Sequence, residues 1–311
     1  MSQVFQSSGD LIADRRFEYA KAAAAEGDPA AAQDLLLQTI EVAPDWPAAW
    51  FALGDARLAL DDIEGAREAF DRCRALDPAD EQGAAIALAA LESGNSGQGL
   101  EMSVGYVRNL FDQYAERFDS HLTKHLAYRG PELIRDAIAR ACAIEGVRPP
   151  FARALDIGCG TGLLGEQLQD MAKAIEGIDL SPRMIRMAKK RDCYDRLSTG
   201  DMLAFLREGD AGRYDLIAAA DVFVYVGDLG PVVSAAARAL KPRGLFAFSI
   251  QRGDAADYAL GRDRRFFHRP AYVEAVLKSC GFNVVRNEAN STRIENGAPV
   301  PGAIFVAIKR R

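Results

Sequence analysis

Histidine is almost absent from this chain, with three in 311 residues. Two of them, His121 and His125, stand four apart, the spacing of a metal-binding pair on one helix face. The Leu-Thr-Lys between them carries no glutamate and no third ligand stands nearby, so no metal centre is expected. Cysteine is hardly commoner: Cys73, Cys142, Cys159, Cys193 and Cys280 are odd in number and contain no Cys-x-x-Cys pair. That argues against a disulfide framework and against a zinc site, and suits a reducing cytoplasm. No apolar run approaches the ~20 residues a membrane span needs. Residues 1–10 lack the basic and apolar pattern of a secretion leader, so the expectation is a cytoplasmic protein with no membrane partner.

Positive charge is also lacking in one place. Residues 1–93 hold 7 basic and 18 acidic side chains, against 31 and 26 in the remainder. An acidic N-terminal module repels nucleic acid; its charge reads as a solvated helical surface, with docking on the more basic remainder as the alternative. The length suffices for two domains.

What is present in strength is glycine at one point. Residues 154–165 read Ala-Leu-Asp-Ile-Gly-Cys-Gly-Thr-Gly-Leu-Leu-Gly, an apolar strand entering a turn that opens a helix. Gly158, Gly160 and Gly162 let the main chain approach a ligand closely, and the helix start offers unpaired N–H groups. This is the pattern of a site for an adenosine-containing cofactor. Gly160 to Gly165 also satisfies the dinucleotide fingerprint, with Asp179 about the right distance on, which keeps an NAD-dependent oxidoreductase as an alternative. Asp156, two residues before the first glycine, gains nothing beside a diphosphate but suits a cofactor carrying a sulfonium and an ammonium group. Residues 175–179 form a second buried strand ending in Asp179, followed by Ser181 and Pro182 as helix cap and first helical residue. Gly200-Asp201-Met202 follows a third strand and sets a carboxylate and an apolar side chain where an adenine ring is held.

On these residues the chain resembles the class I S-adenosylmethionine-dependent methyltransferases, whose Asp-x-Gly-x-Gly-x-Gly first motif is matched by Asp156 to Gly162. The resemblance implies S-adenosylmethionine as cofactor, Asp179 on its ribose and Asp201 on the adenine amino group. Cys159, Leu180, Met184, Met202 and Asp221 are expected beside it. Such enzymes carry an aromatic-rich helix before the first motif, folding over the cofactor as a lid. Residues 106–122, with Phe111, Tyr114 and Phe118 on one helical face, stand in that place; core packing is the alternative for the two phenylalanines, and Tyr114 is assigned to the lid.

Residues 16–91 are alanine-rich with a 34-residue repeat. Trp50, Leu53, Gly54, Ala66, Phe70 and Pro78 resemble the tetratricopeptide pattern, and Ala20, Ala32, Leu36 and Pro44 fit one degenerate repeat earlier. So short an array is expected to lean on the catalytic part, on a second copy of the chain, or on a protein partner held by its concave surface. The glycine-rich run 93–99 marks the boundary. The expected organisation is an all-α repeat domain over 1–93, a linker with lid helices over 94–150, and a cofactor-binding core over 151–311. The core alternates strands and helices as a doubly wound, Rossmann-like, mostly parallel α/β sheet, ending in an antiparallel hairpin of strands 281–285 and 303–309.

Residues 220–225, after the fourth strand, should border the reacting methyl group. Asp221-Val-Phe-Val lacks the prolines that grip an extruded base, and no Pro-Cys pair is present, so base methylation is disfavoured and no nucleic-acid partner is expected. The catalytic candidates are His121, Tyr225, His268 and Arg293. Arg262, Arg264, Arg265 and Arg269 fall in one loop, read as solvated or as an anion holder. The expected reaction is methyl transfer to the carboxylate or hydroxyl of a small molecule, an anionic one if arginine holds it; a protein substrate, or a scaffold acting through the repeats, is the rival.

Overall fold

The computed structural model describes residues 7–92, 101–116, 118–119, 127–254, 256–295 and 297–311. Two compact units emerge, Met1–Ser96 with Arg262–Arg264, and Gly97–Gly261 with Arg265–Arg311.

The first unit is a run of antiparallel helices: α1 (Leu11–Ala25), α2 (Pro29–Val42), α3 (Pro47–Ala59), α4 (Ile63–Leu76) and α5 (Ala84–Leu91). Their starts are written locally. Asp10, Asp28 and Asp62 cap the first, second and fourth helices through their side chains, and Pro29 and Pro47 take first helical positions where no N–H is needed. Small residues let the helices meet: Ala20, Ala32, Ala49, Ala56 and Ala69 are all buried. A Cβ on Gly54 would lie 2.4 Å from the Phe70 ring, so the repeat's glycine and aromatic positions are one steric unit. Within this unit the Arg264 guanidinium lies over Phe51 and Phe70 and pairs with Asp55. Arg264 is thus committed to carboxylate and ring partners and is not an anion holder.

The second unit opens with α6 (Val104–Tyr114) and α7 (Gly130–Glu145). There follow β1 (Ala154–Ile157), α8 (Leu163–Leu168), β2 (Ile175–Asp179), α9 (Pro182–Ala188), β3 (Arg196–Thr199), α10 (Met202–Glu208) and β4 (Tyr214–Ala219). The unit closes with α11 (Gly230–Ala239), β5 (Leu240–Arg252), β6 (Tyr258–Leu260), β7 (Phe266–His268), α12 (Pro270–Ser279), β8 (Phe282–Asn290), β9 (Ile294–Glu295), β10 (Ala298–Pro299) and β11 (Gly302–Lys309). The main sheet runs β3-β2-β1-β4-β5-β11-β8, with β1 to β5 parallel and β11 antiparallel to both β5 and β8. This is a Rossmann-like, doubly wound sheet with an antiparallel end. β1, β2 and most of β4, β5 and β11 are buried on both faces, which is why they read as near-continuous apolar runs. Phe223, Phe246, Phe248, Phe282 and Phe305 stack in one core, and Ile134, Ile138, Leu164 and Leu168 fill the other face.

Three elements depart from the sequence reading. α6 ends at Tyr114, where a turn at 115–116 interrupts the expected single helix before helix resumes at 118–119; its expected end at Leu122 lies outside the described residues. The arginine-bearing segment after β5 is a hairpin, β6 against β7, with β7 parallel to the end of β5 at Gln251 and Arg252. The segment after β8, expected as a loop, holds a two-residue hairpin, β9 against β10.

Candidate functional site

The carboxyl ends of β1 to β4 open into one cavity of about 510 Å³. Each of the four strands contributes an aspartate to its wall: Asp156, Asp179, Asp201 and Asp221. Ligands of open parallel sheets bind at this end, beside the strand-order reversal, which here lies between β1 and β4.

Asp156 is 1% exposed, and its Oδ2 accepts a hydrogen bond from the Tyr194 hydroxyl at 2.7 Å. Its Oδ1 is buried and makes no hydrogen bond of good geometry. Burial pushes this carboxyl up to about 7; the Tyr194 bond opposes the rise, neighbouring Asp179 adds to it, and the Gly165 N–H favours the charged form. The ring of Tyr194 explains two glycines. A Cβ on Gly165 would lie 2.3 Å from it and one on Gly177 3.0 Å, so both positions stay bare to admit the tyrosine.

The glycine turn carries φ of +64° at Gly158, +54° at Gly160 and +96° at Gly162. Here glycine is required twice over at Gly158, because a Cβ would also stand 2.5 Å from Val222. Gly160 N–H donates to Asp179 Oδ2 at 2.9 Å, and Ser181 N–H donates to Oδ1 at 2.8 Å. Burial raises the Asp179 carboxyl to about 6; the two N–H bonds oppose this and Asp112 contributes to it. Asp201 caps α10 through a bond from Ala204 N–H at 2.8 Å while lining the cavity beside Met202.

The far end of the cavity is built from segments distant in sequence. Asp221 adopts φ +54°, a strained backbone for a residue with a side chain. Its N–H donates to Ser249 Oγ, whose hydroxyl donates back to Oδ1 at 2.8 Å; Thr292 Oγ1 donates to Oδ2 at 3.0 Å. Arg293 is 5% exposed and spends its nitrogens on Gln251 at 3.0 Å, Glu295 at 3.3 Å and Asp221 at 3.7 Å. Arg265 also reaches Glu295, at 3.1 Å, and bonds the Tyr225 hydroxyl. Burial raises the Tyr225 phenol, with Arg265 and Arg293 opposing, so it stays protonated at neutral pH. Tyr225 meets Phe111 edge-on with centroids 5.3 Å apart, bringing α6 over this end.

Of the residues expected on the cofactor, Tyr114, Asp156, Gly158, Cys159, Gly160, Asp179, Leu180, Asp201, Met202 and Asp221 line the cavity. Gly162 and Met184 do not. Gly162 turns toward Arg191 and Tyr194, and Met184 is fully buried beneath α9, where helical periodicity sends it into the core. Of the catalytic candidates, Tyr225 and Arg293 line the cavity, and His121 lies outside the described residues. His268 is absent from the wall. Its Nε2 faces the carbonyls of Val226 and Gly227 at 3.0 Å, burial lowers it to about 4, and it therefore stays neutral, donating to those carbonyls. Arg269 pairs with Asp257 away from the wall. Tyr194, Tyr128, Asp112 and Glu295 had no part in the sequence reading of the site. The only sequence signal for Tyr194 was the pair of bare glycines that accommodate it.

Residues 125–287 match the family model described as a methyltransferase domain, which is more than half of the chain. The chain belongs to this methyltransferase family. Residues 47–80 match the tetratricopeptide repeat. The methyltransferase is similar to the ubiquinone biosynthesis O-methyltransferase of Methylobacterium nodulans, 30% identical over 173 residues, covering 49% of this chain and 69% of that protein. The same-named enzyme of Thiobacillus denitrificans is 32% identical over 122 residues, covering 36% of this chain and 51% of that one, so the match spans about half of that relative. Among solved structures, the [4+2]-cyclase SpnF aligns with a TM-score of 0.54 at 16% identity, covering 66% of this chain and 96% of that chain. At that identity the likeness is one of fold alone.

The methyl donor of this domain is S-adenosylmethionine, and the residues present fit it. The Asp156 carboxylate on the cavity wall suits an ammonium group, Asp179 suits vicinal hydroxyls, and the bare Gly160 admits close approach of a ligand to the main chain.

Proposed function

We propose that this protein transfers a methyl group from S-adenosylmethionine to an oxygen of a small hydroxyl-bearing molecule. The observation that carries the donor half is the row of aspartates at the carboxyl ends of the parallel strands, Asp156, Asp179 and Asp201, gathered around the bare Gly160 on one cavity wall. When bound, S-adenosylmethionine supplies an electrophilic methyl group. This chain's own residues then bind and orient. Asp156 holds the ammonium end, Asp179 the ribose, Asp201 and Met202 the adenine, and Phe111, Tyr114 and Phe118 keep water from the reacting end.

The relatives compared are named O-methyltransferases, which agrees with an oxygen acceptor. One observation favours a hydroxyl over a carboxylate. Among the described residues, the cavity wall carries seven carboxylates against two guanidinium groups, Arg265 and Arg293, and both are already bonded to Glu295. An anionic acceptor would meet repulsion with no uncommitted countercharge at Arg293. Tyr225, protonated and bonded by Arg265, borders the cavity and would donate a hydrogen bond to the acceptor, whose hydroxyl proton leaves to water as the methyl group is transferred. A second reading, a protein substrate or partner brought by the repeats, draws on the tetratricopeptide match.

One experiment separates these. Metabolite and protein extracts are incubated separately with the enzyme and radiolabelled S-adenosylmethionine. Label in small molecules recoverable as an ether is expected; label confined to macromolecules would replace the small-molecule reading with the second.

A further inference from the structure

We propose that Asp112 and Asp119 are positioning residues that latch the α6 segment onto the two cofactor-binding loops, and so set how long the cofactor stays bound. The inference rests on the reading of the cavity as the S-adenosylmethionine site.

The segment forms a wall of that cavity through Val104, Val107, Leu110, Phe111, Tyr114 and Phe118. Apolar contact of this kind is non-directional and holds no fixed register. Two carboxylates supply the direction. Asp112 Oδ1 accepts from Ser181 Oγ at 2.5 Å and from Arg183 N–H at 3.2 Å, and its carbonyl accepts from Arg183 Nη1 at 3.3 Å. Ser181 is fully buried and faces both ways: its N–H donates to the ribose-side acid Asp179, and its hydroxyl oxygen caps α9 by accepting from Met184 N–H. Asp112 is thus one bond removed from the group that would hold ribose.

Asp119 makes the same kind of contact to the other loop. Its Oδ1 accepts from the hydroxyl of Thr161, the residue between Gly160 and Gly162, and its Oδ2 pairs with Arg191. Arg191 is fixed by the Thr161 carbonyl at 2.7 Å and by Glu166. Phe118, beside Asp119, lies 3.8 Å from where a Gly160 Cβ would stand. The two carboxylates therefore clip one covering segment to the turns after β1 and after β2, the turns that carry Gly160 and Asp179. Breaking these charge-assisted bonds, made across the mouth of the site, frees α6 and with it a ligand beneath.

The test is the dissociation rate of radiolabelled S-adenosylhomocysteine from the full-length protein, chased with excess unlabelled compound. Asp112→Ala and Thr161→Val are each expected to speed release about tenfold, and the double variant about a hundredfold, with association rates changed far less. Thr161→Ser keeps the hydroxyl and should keep slow release, a rescue that loss of general packing would not give. Release from a folded double variant within twofold of wild type would overturn the latch. If Asp112→Ala does not fold, the Thr161→Val and Thr161→Ser pair decides alone, equal rates overturning the proposal. Failure of wild type to retain S-adenosylhomocysteine at all would instead overturn the cofactor reading.

Discussion

The two ends of the cavity are built by different means. At the cofactor end, Asp156, Asp179 and Asp201 each sit at or just beyond a strand's carboxyl end, and their partners are mostly backbone N–H groups or a neighbouring hydroxyl. At the far end, the proposed acceptor end, Asp221, Glu295, Arg265 and Arg293 neutralise one another, with Ser249, Gln251 and Thr292 completing the bonds. The first end holds its carboxylates by hydrogen bonds and, among the described residues, brings no guanidinium to them. The second spends its charges on itself. A part-buried ion cluster of that sort fixes geometry, whereas a carboxylate held by backbone N–H groups keeps its charge for a ligand.

Removing a charge from each end should therefore have opposite signatures. Arg293→Ala removes the cation beside part-buried Asp221 and its bond to Gln251, while Glu295 keeps Arg265, and is expected to lower unfolding stability by roughly 1–3 kcal/mol. Urea denaturation measures this. A variant of near wild-type stability with a raised acceptor KM would mean that Arg293 serves the substrate and not the scaffold. At the other end, Asp179→Ala should weaken S-adenosylhomocysteine by about 1–3 kcal/mol in isothermal titration. Because its burial penalty disappears with the charge, folding stability should change less than affinity. Titration with NADH in its place should show no heat, and binding there would return the dinucleotide reading.

That asymmetry also decided what the sequence disclosed. The cofactor end was legible because strand, turn and helix are contiguous, so Asp156, Gly158, Gly160 and Asp179 come with their spacing attached. Gly54 and Phe70, 16 residues apart, were legible for the same reason. The proposed acceptor end joins residues from the turn after β4, from β5, from the β6–β7 turn and from the β8–β11 connection, with Asp221 and Arg293 72 positions apart, and no local period records such pairing. Met184 shows the opposite failure: the position follows the motif, but a helix turns its side chain by about 100° per residue, and this one faces the core. The β6–β7 hairpin escaped notice because three-residue strands carry too few alternations to register.

A pH series sharpens the comparison further. The Asp156 and Asp179 carboxyls stand at about 7 and about 6 in the folded protein, above the unfolded value near 3.9. Both are raised, so protonation favours the ligand-free fold: the stability these two groups contribute is full at low pH and is lost as pH rises from ~4 through about 7. Ligand binding runs the other way, since an ammonium group and ribose hydroxyls are held by the charged forms. S-adenosylhomocysteine affinity should fall as pH drops below about 7, approaching roughly tenfold per unit per group, or ~1.4 kcal/mol. Thermal melts with and without the ligand at pH 6 and pH 8 measure both trends. Tyr194→Phe removes a bond that favours the charged form of Asp156 and should move the binding midpoint to higher pH; an unmoved midpoint would separate Tyr194 from the site.

The smallest expected effect separates two roles of one carboxylate. Asp201 caps α10 through Oδ1 and faces the cavity, where the family resemblance implies contact with the adenine amino group. Asparagine caps helices as well as aspartate does, so Asp201→Asn should leave thermal stability within a few tenths of a kcal/mol. The amide replaces the second acceptor oxygen with a donor, which cannot receive an amino N–H, so S-adenosylhomocysteine affinity should fall by ~1 kcal/mol. Asp201→Ala removes cap and acceptor together, and should lower both stability and affinity by about 1 kcal/mol each. If Asp201→Asn binds as wild type while Asp201→Ala melts early, the carboxylate is a helix cap that happens to border the cavity, and adenine is held by its apolar neighbours instead.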